Sequence, residues 1–332
     1  MTLQHRHRAK GHRRFFFQLC KAIHESEAFA MTTTSPVHLL ASGGHYFEGA
    51  RWHDGTWWVS DIYAKKVCTY DTEGNRTEIM HVEGNPSGLG WLPDGSLLVV
   101  SMHDRTLLRR TADGEVSVYA DLSELCAYEL NDMVINAAGQ VYVGTIGFAI
   151  AQGDEIRPGA IYRVDPDGTG HVAAENVICP NGMVITNDDR TLIVAESFSS
   201  RLTAFTIGDD GALTDQRAFA QIGADPGLTS LPEMMAASEI WPDGCAIDAE
   251  DNIWVADAGH QRIVRIDPHG KIVEEIKEEE GLGIYACALG GDDGRTLLMC
   301  SVPDFFAAAQ GTDTDKAVLK TTRVAVPHGG RP

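Results

Sequence analysis

Six stretches of this chain share one pattern, and four of them carry a carboxylate or amide side chain at the same place in it. The stretches begin at Phe47, Pro86, Leu130, Pro180, Pro242 and Tyr285. Their second residues are, in the same order, Glu48, Ser87, Asn131, Asn181, Asp243 and Ala286. Two carboxylates and two amide carbonyls that converge on one point form an oxygen donor set that hard cations prefer. The pattern predicts a divalent-cation site, provided that the fold brings the stretches together.

The spacing of the stretches indicates such a fold. Successive second residues lie 39, 44, 50, 62 and 43 residues apart, and each interval holds four short apolar or alternating segments separated by turn residues. Segments of this kind are typical of β-strands, and four-stranded units at this period are typical of a β-propeller. We predict an all-β, six-bladed propeller with four-stranded antiparallel blades around a central channel. A strand near residues 37–41 or 317–326 should complete one blade and close the ring.

The repeats indicate one propeller domain over residues 35–327, followed by a flexible tail of residues 328–332. Residues 1–34 are predicted to be a disordered or loosely attached extension. Lys and Arg are concentrated in its first thirty positions, and the apolar run Phe15–Phe17 is too short for a secretory signal. Two interpretations stay open: an organelle-targeting segment, or an upstream extension before Met31.

Composition narrows the classes of partner and the cellular compartment. The net charge of −20 argues against nucleic acid or an anionic membrane as partner, and no apolar run reaches the roughly 18 residues of a membrane-spanning helix. The seven cysteines are odd in number and lack C-x-x-C or zinc-ligand spacing. That usage favours the reducing cytoplasm. The partner is predicted to be a small molecule, and the oligomeric state stays open.

The candidate ligands also indicate the chemistry. Because no His or Cys joins the oxygen ligands, Ca²⁺ ranks first as the single bound ion, with Mg²⁺, Mn²⁺ or Zn²⁺ as alternatives. The chain has no G-x-S-x-G elbow, H-E-x-x-H helix, P-loop or dinucleotide-binding fingerprint. A divalent cation polarises a carbonyl and acidifies a bound water, and a carboxylate beside it can act as general base. This equipment suits hydrolysis of an ester or lactone.

A second ring of residues follows from the same register. The strand after each inner strand should return to the same mouth and end at Asp61, His103, Thr145, Glu196 and Asp257. These residues are predicted either to line the pocket or to cap the blades. The longest insertion, residues 223–241, enters the axis beside Asp243. It is predicted either to form a rim or lid or to be a surface insertion.

At these residues the chain resembles the senescence marker protein / gluconolactonase / luciferin-regenerating enzyme family. The matching stretches are FEGARW, LNDMVINAAGQVYVGT, PNGMVITNDDRTLIVAES and PDGCAIDAEDNIWVAD, in the family's order and spacing, and the resemblance covers roughly residues 38–305. It implies a six-bladed propeller lactonase with one divalent metal held by Glu48, Asn181 and Asp243. It also implies that Asn131 contacts substrate or a metal-bound water and that Asp243 is the general base.

One departure from the family concerns the substrate wall. Glu129 stands where sugar-lactonase members have an arginine that holds the sugar acid. The substrate-binding residues are therefore predicted to be Asn131, Glu129, His103 and Trp241. With Phe148 and Met235 nearby, we expect a lactone or ester less polar than an aldonolactone.

Two functions of different class remain open at this point. One is a metal-dependent lactonase or carboxylic ester hydrolase that opens a small lactone. The other is a non-catalytic calcium-binding propeller that acts as a ligand- or protein-interaction module. A further reaction on the same scaffold, such as a lyase or phosphotriesterase reaction, is the third alternative.

Overall fold

The computed structural model describes residues 31–32, 35–149, 154–278, 281–312 and 314–330. Its regular structure in these ranges consists of 25 strands and two short helices. The strands form six sheets that each contain a four-stranded antiparallel blade, and in one sheet a short fifth strand pairs in parallel with the blade's outer edge. The predicted six-bladed, all-β propeller is confirmed.

The first three blades each use four consecutive strands, in order from the channel outwards. Blade 1 contains β3 (Phe47–His53), β4 (Thr56–Asp61), β5 (Lys66–Tyr70) and β6 (Arg76–His81). Blade 2 contains β7 (Pro86–Trp91), β8 (Leu97–Ser101), β9 (Thr106–Arg110) and β10 (Val116–Asp121). Blade 3 contains β11 (Leu130–Ile135), β12 (Val141–Thr145), β13 (Gly159–Val164) and β14 (Gly170–Val177).

The last three blades complete the ring. Blade 4 contains β15 (Pro180–Ile185), β16 (Thr191–Glu196), β17 (Arg201–Ile207) and β18 (Leu213–Gln221). Blade 5 contains β19 (Pro242–Ile247), β20 (Ile253–Asp257), β21 (Arg262–Ile266) and β22 (Ile272–Lys277), with β1 (Met31–Thr32) at its outer edge. Blade 6 contains β23 (Gly283–Gly290), β24 (Thr296–Val302), β25 (Ala317–Arg323) and β2 (His38–Gly44).

Blade 6 closes the ring with strands from both ends of the domain. β2 pairs antiparallel with β25, so a strand near the start of the domain completes a sheet built from the last three. Both segments predicted as alternative closing strands are used. The ordered backbone continues past the predicted domain boundary at residue 327, where His328 donates to the carbonyl of Gly294 at 2.9 Å and Gly329 donates to that of Ile247 at 3.1 Å. The predicted extension of residues 1–34 falls almost wholly outside the described residues.

The second strand of each blade lies between two neighbouring blades, and its composition reflects this. All five residues of β8, Leu97–Ser101, are buried, whereas the outermost strand of the same blade, β10, is exposed at four of its six positions. A strand covered on both faces requires a nearly continuous apolar run. Apolar side chains from adjacent blades thereby form the core that holds the ring together.

Each inner strand breaks its pairing with the second strand near the predicted ligand. The register shifts between Pro180 and Met183 in blade 4 and between Pro242 and Cys245 in blade 5, and the other inner strands shift at equivalent places. Such a bulge re-aims the side chain at the irregularity. At Gly182 an added Cβ would lie 2.4 Å from the carbonyl oxygen of Asp243. Only glycine allows neighbouring inner strands to approach this closely.

The two helices were not predicted from the sequence. α1 (Leu231–Ala237) lies within the long insertion, and α2 (Phe305–Ala309) follows β24. α1 begins with a capping box between Ser230 and Glu233, which satisfies the first backbone N–H groups of so short a helix. In the described part of the chain, neither helix has the length and apolarity that crossing a bilayer would require.

Candidate active site

Buried acidic side chains hold the loops that lead into the inner strands. Asp61, at the end of β4, accepts from the backbone N–H of Tyr46 at 3.0 Å. Asp257, at the end of β20, accepts from the backbone N–H of Trp241 at 2.9 Å. Glu196 occupies the same position in blade 4 and accepts from the backbone of the loop before β15 at 2.7 Å. These members of the second ring therefore cap the blades and fix where each inner strand begins.

Cations face two of the capping carboxylates. Arg262 donates to Asp257 at 2.7 Å and Arg201 donates to Glu196 at 2.8 Å. Burial alone would raise the pKa of Asp257, but His260 and Arg262 together hold it below the ordinary value. The pairs of a capping carboxylate and a cation stabilise the ends of the blades.

The three predicted metal ligands come together at the channel mouth. Burial first, and then the charges of Asp243 and Asp132, raise the pKa of Glu48 well above its ordinary value. Burial and Asp132 likewise raise the pKa of Asp243, whereas side-chain hydrogen bonding from Asn181 and Glu48 acts to lower it. Because hydrogen bonding from both Asn181 and Glu48 reaches the Asp243 carboxylate, the three side chains are neighbours. Residues separated by more than 190 positions thus form one cluster.

Two oxygen atoms in this cluster are buried without a hydrogen-bond partner among the described residues, namely Oδ1 of Asn181 and Oδ1 of Asp243. Nδ2 of Asn181 donates to Oγ of Ser197 at 3.2 Å, which fixes the amide with its oxygen unpaired. An orphaned buried acceptor costs about 1–3 kcal/mol, and a bound cation would remove that cost. The donor set and its unpaired oxygens fit a hard divalent ion.

Only two of the three candidate ligands in this cluster are ionisable side chains. Within the described ranges, no three His, Cys, Asp or Glu side chains are grouped as a metal site. Here only Glu48 and Asp243 are ionisable, and Asn181 supplies a neutral carbonyl. Two carboxylates balance one divalent charge, so amide ligation suits the electrostatics.

Asn131 occupies the equivalent position in blade 3 but differs from Asn181 in its bonding. Its Oδ1 accepts from Oγ of Ser87 at 3.4 Å, and its Nδ2 donates to the carbonyl of Pro180 at 3.3 Å. The side chain is buried between the inner strands of neighbouring blades. Its oxygen is already paired, which distinguishes it from the ligand oxygens of Asn181 and Asp243. The role predicted for it, contact with substrate or a metal-bound water, stays a prediction.

A buried ion pair between Arg51 and Asp132, beneath the cluster, was not predicted from the sequence. Arg51, in β3, donates from a terminal guanidinium nitrogen to Oδ1 of Asp132, in β11, at 2.8 Å, and to the carbonyl of Met133 at 2.8 Å. The repeat nevertheless contained a feature that pointed to Asp132. The residue after the ligand is glycine in four of the six stretches and aspartate at position 132. The exception at this position indicates that the Asp132 side chain has a separate structural role in the channel.

One side of the mouth is polar. His103 Nδ1 lies 2.7 Å from Oε1 of Glu129, and Nδ2 of Asn85 lies 3.0 Å from the other ring nitrogen of His103. The hydrogen bond that His103 donates to Glu129 raises the pKa of His103. The charge of Glu129 also contributes, after burial, to the raised pKa of Tyr63. We call Tyr63, Asn85, His103 and Glu129 the polar rim; the structure brings the predicted residues Glu129 and His103 into direct contact.

The opposite side of the mouth is apolar. Phe148, Phe198, Met235 and Trp241 form one buried cluster, which we call the apolar wall. Cys179 belongs to the same cluster, and its thiol pKa is raised to about 12 by burial and by the charge of Asp243. The apolar wall therefore adjoins the predicted ligands.

The long insertion supplies part of this wall. Nε1 of Trp241 donates to the carbonyl of Met235 at 3.0 Å, and the backbone of Glu239 donates to Oγ of Ser200 at 2.9 Å. The insertion is packed onto blade 4 at the mouth. Trp241 is almost fully buried, so it supports the wall, and direct contact with substrate stays a prediction.

Aromatic rings complete the mouth beside Glu48. The ring of Tyr46 lies 5.5 Å from that of Tyr63, 5.0 Å from that of Tyr285 and 5.5 Å from that of Phe305. Burial, then the charges of Glu48 and Asp243, raise the pKa of Tyr46. The aromatic group stays neutral and shields the carboxylates on this side.

Comparison with known proteins finds related sequences that are named lactonases. Lactonase drp35 from Staphylococcus epidermidis is 27% identical over 286 residues, which cover 83% of this chain and 79% of that protein. Pentonolactonase XacC from Haloferax volcanii is 26% identical over 311 residues, covering 91% of this chain and 97% of the relative. Both names describe lactonases.

Solved structures share the fold. Regucalcin from Agrobacterium tumefaciens, described as a calcium-binding protein, has a TM-score of 0.74 at 22% identity, covering 92% of this chain and 99% of that one. A luciferin-regenerating enzyme has a TM-score of 0.70 at 19% identity, covering 89% and 97%. The family profile described as "SMP-30/Gluconolactonase/LRE-like region" matches residues 47–303, well over half of the chain. The protein therefore belongs to the SMP-30/gluconolactonase/LRE-like family.

Proposed function

We propose that this protein is a divalent-metal-dependent lactonase that opens a small lactone at the channel mouth. Glu48, Asn181 and Asp243 would hold the ion. The observation that carries the proposal is the pair of buried, unpaired oxygens on Asn181 and Asp243 beside a second buried carboxylate. The lactonase names of relatives that cover most of this chain support the reaction.

The donor set supports Ca²⁺ as the first candidate ion, with Mg²⁺, Mn²⁺ or Zn²⁺ as alternatives. All the donors are carboxylate or amide oxygens, which Ca²⁺ and other hard cations prefer. The description of one structural neighbour as a calcium-binding protein agrees with this order. When bound, such an ion polarises the lactone carbonyl and lowers the pKa of water.

Asp243 is the proposed general base. With Oδ1 assigned to the ion, the other oxygen of the same carboxylate would accept the proton of an attacking water. The water oxygen bonds to the acyl carbon, the bond from that carbon to the ring oxygen breaks, and the proton passes from Asp243 to the leaving ring oxygen. The product is a hydroxy acid. The aromatic rings of Tyr46 and Tyr285 exclude bulk water from one side of this path.

The substrate is proposed not to be strictly an aldonolactone. Glu129 is half-exposed at the mouth and bonded to His103, so the position that would hold a sugar acid carries an acceptor. The partner is therefore a small-molecule lactone or ester. We propose the cytoplasm as the location, because the cysteines in the described part of the chain are free and buried.

A non-catalytic calcium-binding propeller is the second candidate, favoured by the calcium-binding description of the regucalcin neighbour. The two functions separate in one experiment. Purified protein is assayed on a panel of lactones and simple esters with Ca²⁺, Mg²⁺, Mn²⁺, Zn²⁺ or chelator, alongside Asp243→Asn. Lactonase activity predicts turnover that needs the ion and is lost in Asp243→Asn. Metal binding without turnover of any compound would leave the binding propeller.

A further inference from the structure

The two sides of the mouth differ in chemistry, and the difference selects a substrate. The polar rim lies on loops of blades 1, 2 and 3, whereas the apolar wall comes from the loops of blades 3 and 4 and the insertion before blade 5. Both adjoin the metal cluster, because the Tyr63 ring lies 5.5 Å from that of Tyr46, two residues before Glu48, and Cys179, two residues before Asn181, packs in the apolar wall. A lactone placed over Asp243 therefore meets both.

The polar rim accepts hydrogen bonds, and its four residues offer no unpaired cationic side chain that could bind an anionic group of a ligand. His103, 51% exposed, is bonded to Glu129, which is 39% exposed, so a ligand can reach both. The charge of Lys65 acts to lower the pKa of His103. Lys65 is itself paired with Glu83 at 2.7 Å. A carboxylate or phosphate group on the substrate would face Glu129 and be repelled. A hydroxyl, amide N–H or ammonium group would find an acceptor there.

The apolar wall disfavours the binding of a polyhydroxylated substrate. Phe148, Phe198 and Met235 are buried, and the partly exposed Ile146, Leu231 and Ala258 that pack on them carry no hydrogen-bonding side-chain group to replace the water that a hydroxyl would lose. Each hydroxyl buried without a partner weakens binding. An aliphatic or aromatic substituent would instead gain affinity as its apolar area is removed from water.

These features together lead to one inference, which rests on the proposed lactonase function. We propose that the substrate is an amphipathic lactone, with an apolar body bound against the apolar wall and a hydrogen-bond donor bound by Glu129 of the polar rim. His103 holds the Glu129 carboxylate in place. Polyhydroxylated lactones and lactones that carry an anionic group are discriminated against at the same positions.

The test uses three γ-lactones that share the reacting ring. γ-Octanolactone has an apolar body, N-octanoyl homoserine lactone adds an amide donor to an apolar chain, and galactono-1,4-lactone is a polyol. We expect kcat/KM to be highest for the compound with the donor and at least tenfold lower for the polyol. A polyol that is hydrolysed best would overturn the inference and leave the proposed lactonase function standing.

Variants of the rim locate the selectivity. Glu129→Arg should abolish the advantage of the N-octanoyl compound, mainly through KM, and reduce the discrimination against the polyol. Glu129→Gln keeps an acceptor oxygen and should retain most of the preference. Glu115→Gln, which removes the same charge from an exposed turn of blade 2 between β9 and β10, should leave the substrate order unchanged. An unchanged order in Glu129→Arg would contradict the role of Glu129.

A binding measurement separates recognition from chemistry. The corresponding γ-lactams keep the ring and substituents but resist hydrolysis, and calorimetry on metal-loaded protein gives their affinities. The N-octanoyl lactam should bind at least tenfold more tightly than the polyhydroxylated lactam. If no lactone is hydrolysed with any ion, the proposed function fails, and the lactam affinities still decide the chemical class of ligand. Equal affinities would reject the amphipathic ligand.

Discussion

Asp132 of blade 3 and Arg51 of blade 1 form a buried ion pair across the central channel, with 2.8 Å between the carboxylate and guanidinium atoms. The guanidinium also donates to the carbonyls of Ala50 and Met133, so its position is fixed from two blades. The charge of Asp132 nevertheless raises the pKa of both Glu48 and Asp243. Asp132 thus adds negative potential beneath the candidate metal site without serving as a predicted ligand.

Replacing this carboxylate should affect both stability and metal binding. Asp132→Asn leaves Arg51 buried with an uncompensated charge, which typically costs about 3–5 kcal/mol. It also removes a charge that attracts the cation, so the affinity for Ca²⁺ should fall. Urea unfolding and calorimetric metal titration measure the two effects.

The exposed pair of Asp293 and Arg323 provides the matched control. Both side chains are about half exposed, and exposed pairs contribute little to stability. Asp293→Asn should therefore change stability little and leave metal affinity as it was. Equal losses in the two variants would show that the channel pair has no special electrostatic role.

The predicted ligands can be tested by removing their oxygens. Glu48→Gln and Asn181→Ala should each weaken divalent-ion binding at least tenfold, because even residues that only orient ligands change affinity about 10–100-fold. The ring should stay folded, since neither side chain belongs to the cores between the blades. Calorimetric titration and circular dichroism report the two outcomes. Unchanged affinity in both variants would show that the ligands are misassigned.

Much of this architecture could be predicted because the sequence repeats itself. The second residue of each stretch lies at the same height in its blade, so Glu48, Asn181 and Asp243 could be assigned to one mouth without knowing any contact. Capping positions such as Asp257 followed from the same register. A repeat constrains long-range geometry, since each unit must pack on its neighbours in the same way.

Features outside the repeat could not be predicted. The pairing of Arg51 with Asp132 joins two blades that are not adjacent, and no spacing rule connects residues 81 positions apart. α1 has only seven residues and is stabilised by its cap and by Met234 and Met235 packing inward. So short a segment gives little helical periodicity. The contact between His103 and Glu129 likewise depends on side-chain direction in two loops.

The raised carboxyl pKa values give a pH dependence with a defined sign. In chelator, the folded protein binds more protons at Glu48 and Asp243 than the unfolded chain does, so the free energy of unfolding should fall as pH rises above the ordinary carboxyl range. Saturating Ca²⁺ should reverse the loss, by about 2.7 kcal/mol at one hundred times Kd. Thermal unfolding across pH, with and without Ca²⁺, measures both.

His103 needs a control, because its raised pKa contributes a decline of the same sign. Asp243→Asn lacks one titrating carboxyl and keeps His103. The decline with pH should be smaller in this variant than in the parent protein. A decline of the same size would assign the effect to groups outside the metal cluster.

The close approach of the inner strands gives the last prediction. In Gly182→Ala the new Cβ would lie 2.4 Å from the carbonyl oxygen of Asp243 and 2.5 Å from the backbone nitrogen of Cys245, so the strands of blades 4 and 5 must separate. Overpacking of this kind costs about 1–3 kcal/mol. It also moves Asn181 away from Asp243, so metal affinity should fall with stability.

Gly55→Ala separates these two effects. Gly55 has a φ of +75° and open space around it, so an added Cβ there strains only the local turn, at about 1–2 kcal/mol. Calorimetric titration should show full metal affinity in Gly55→Ala and reduced affinity in Gly182→Ala, although urea unfolding gives similar losses of stability for both. Full affinity in Gly182→Ala would mean that the ligand geometry does not depend on the contact between the two inner strands.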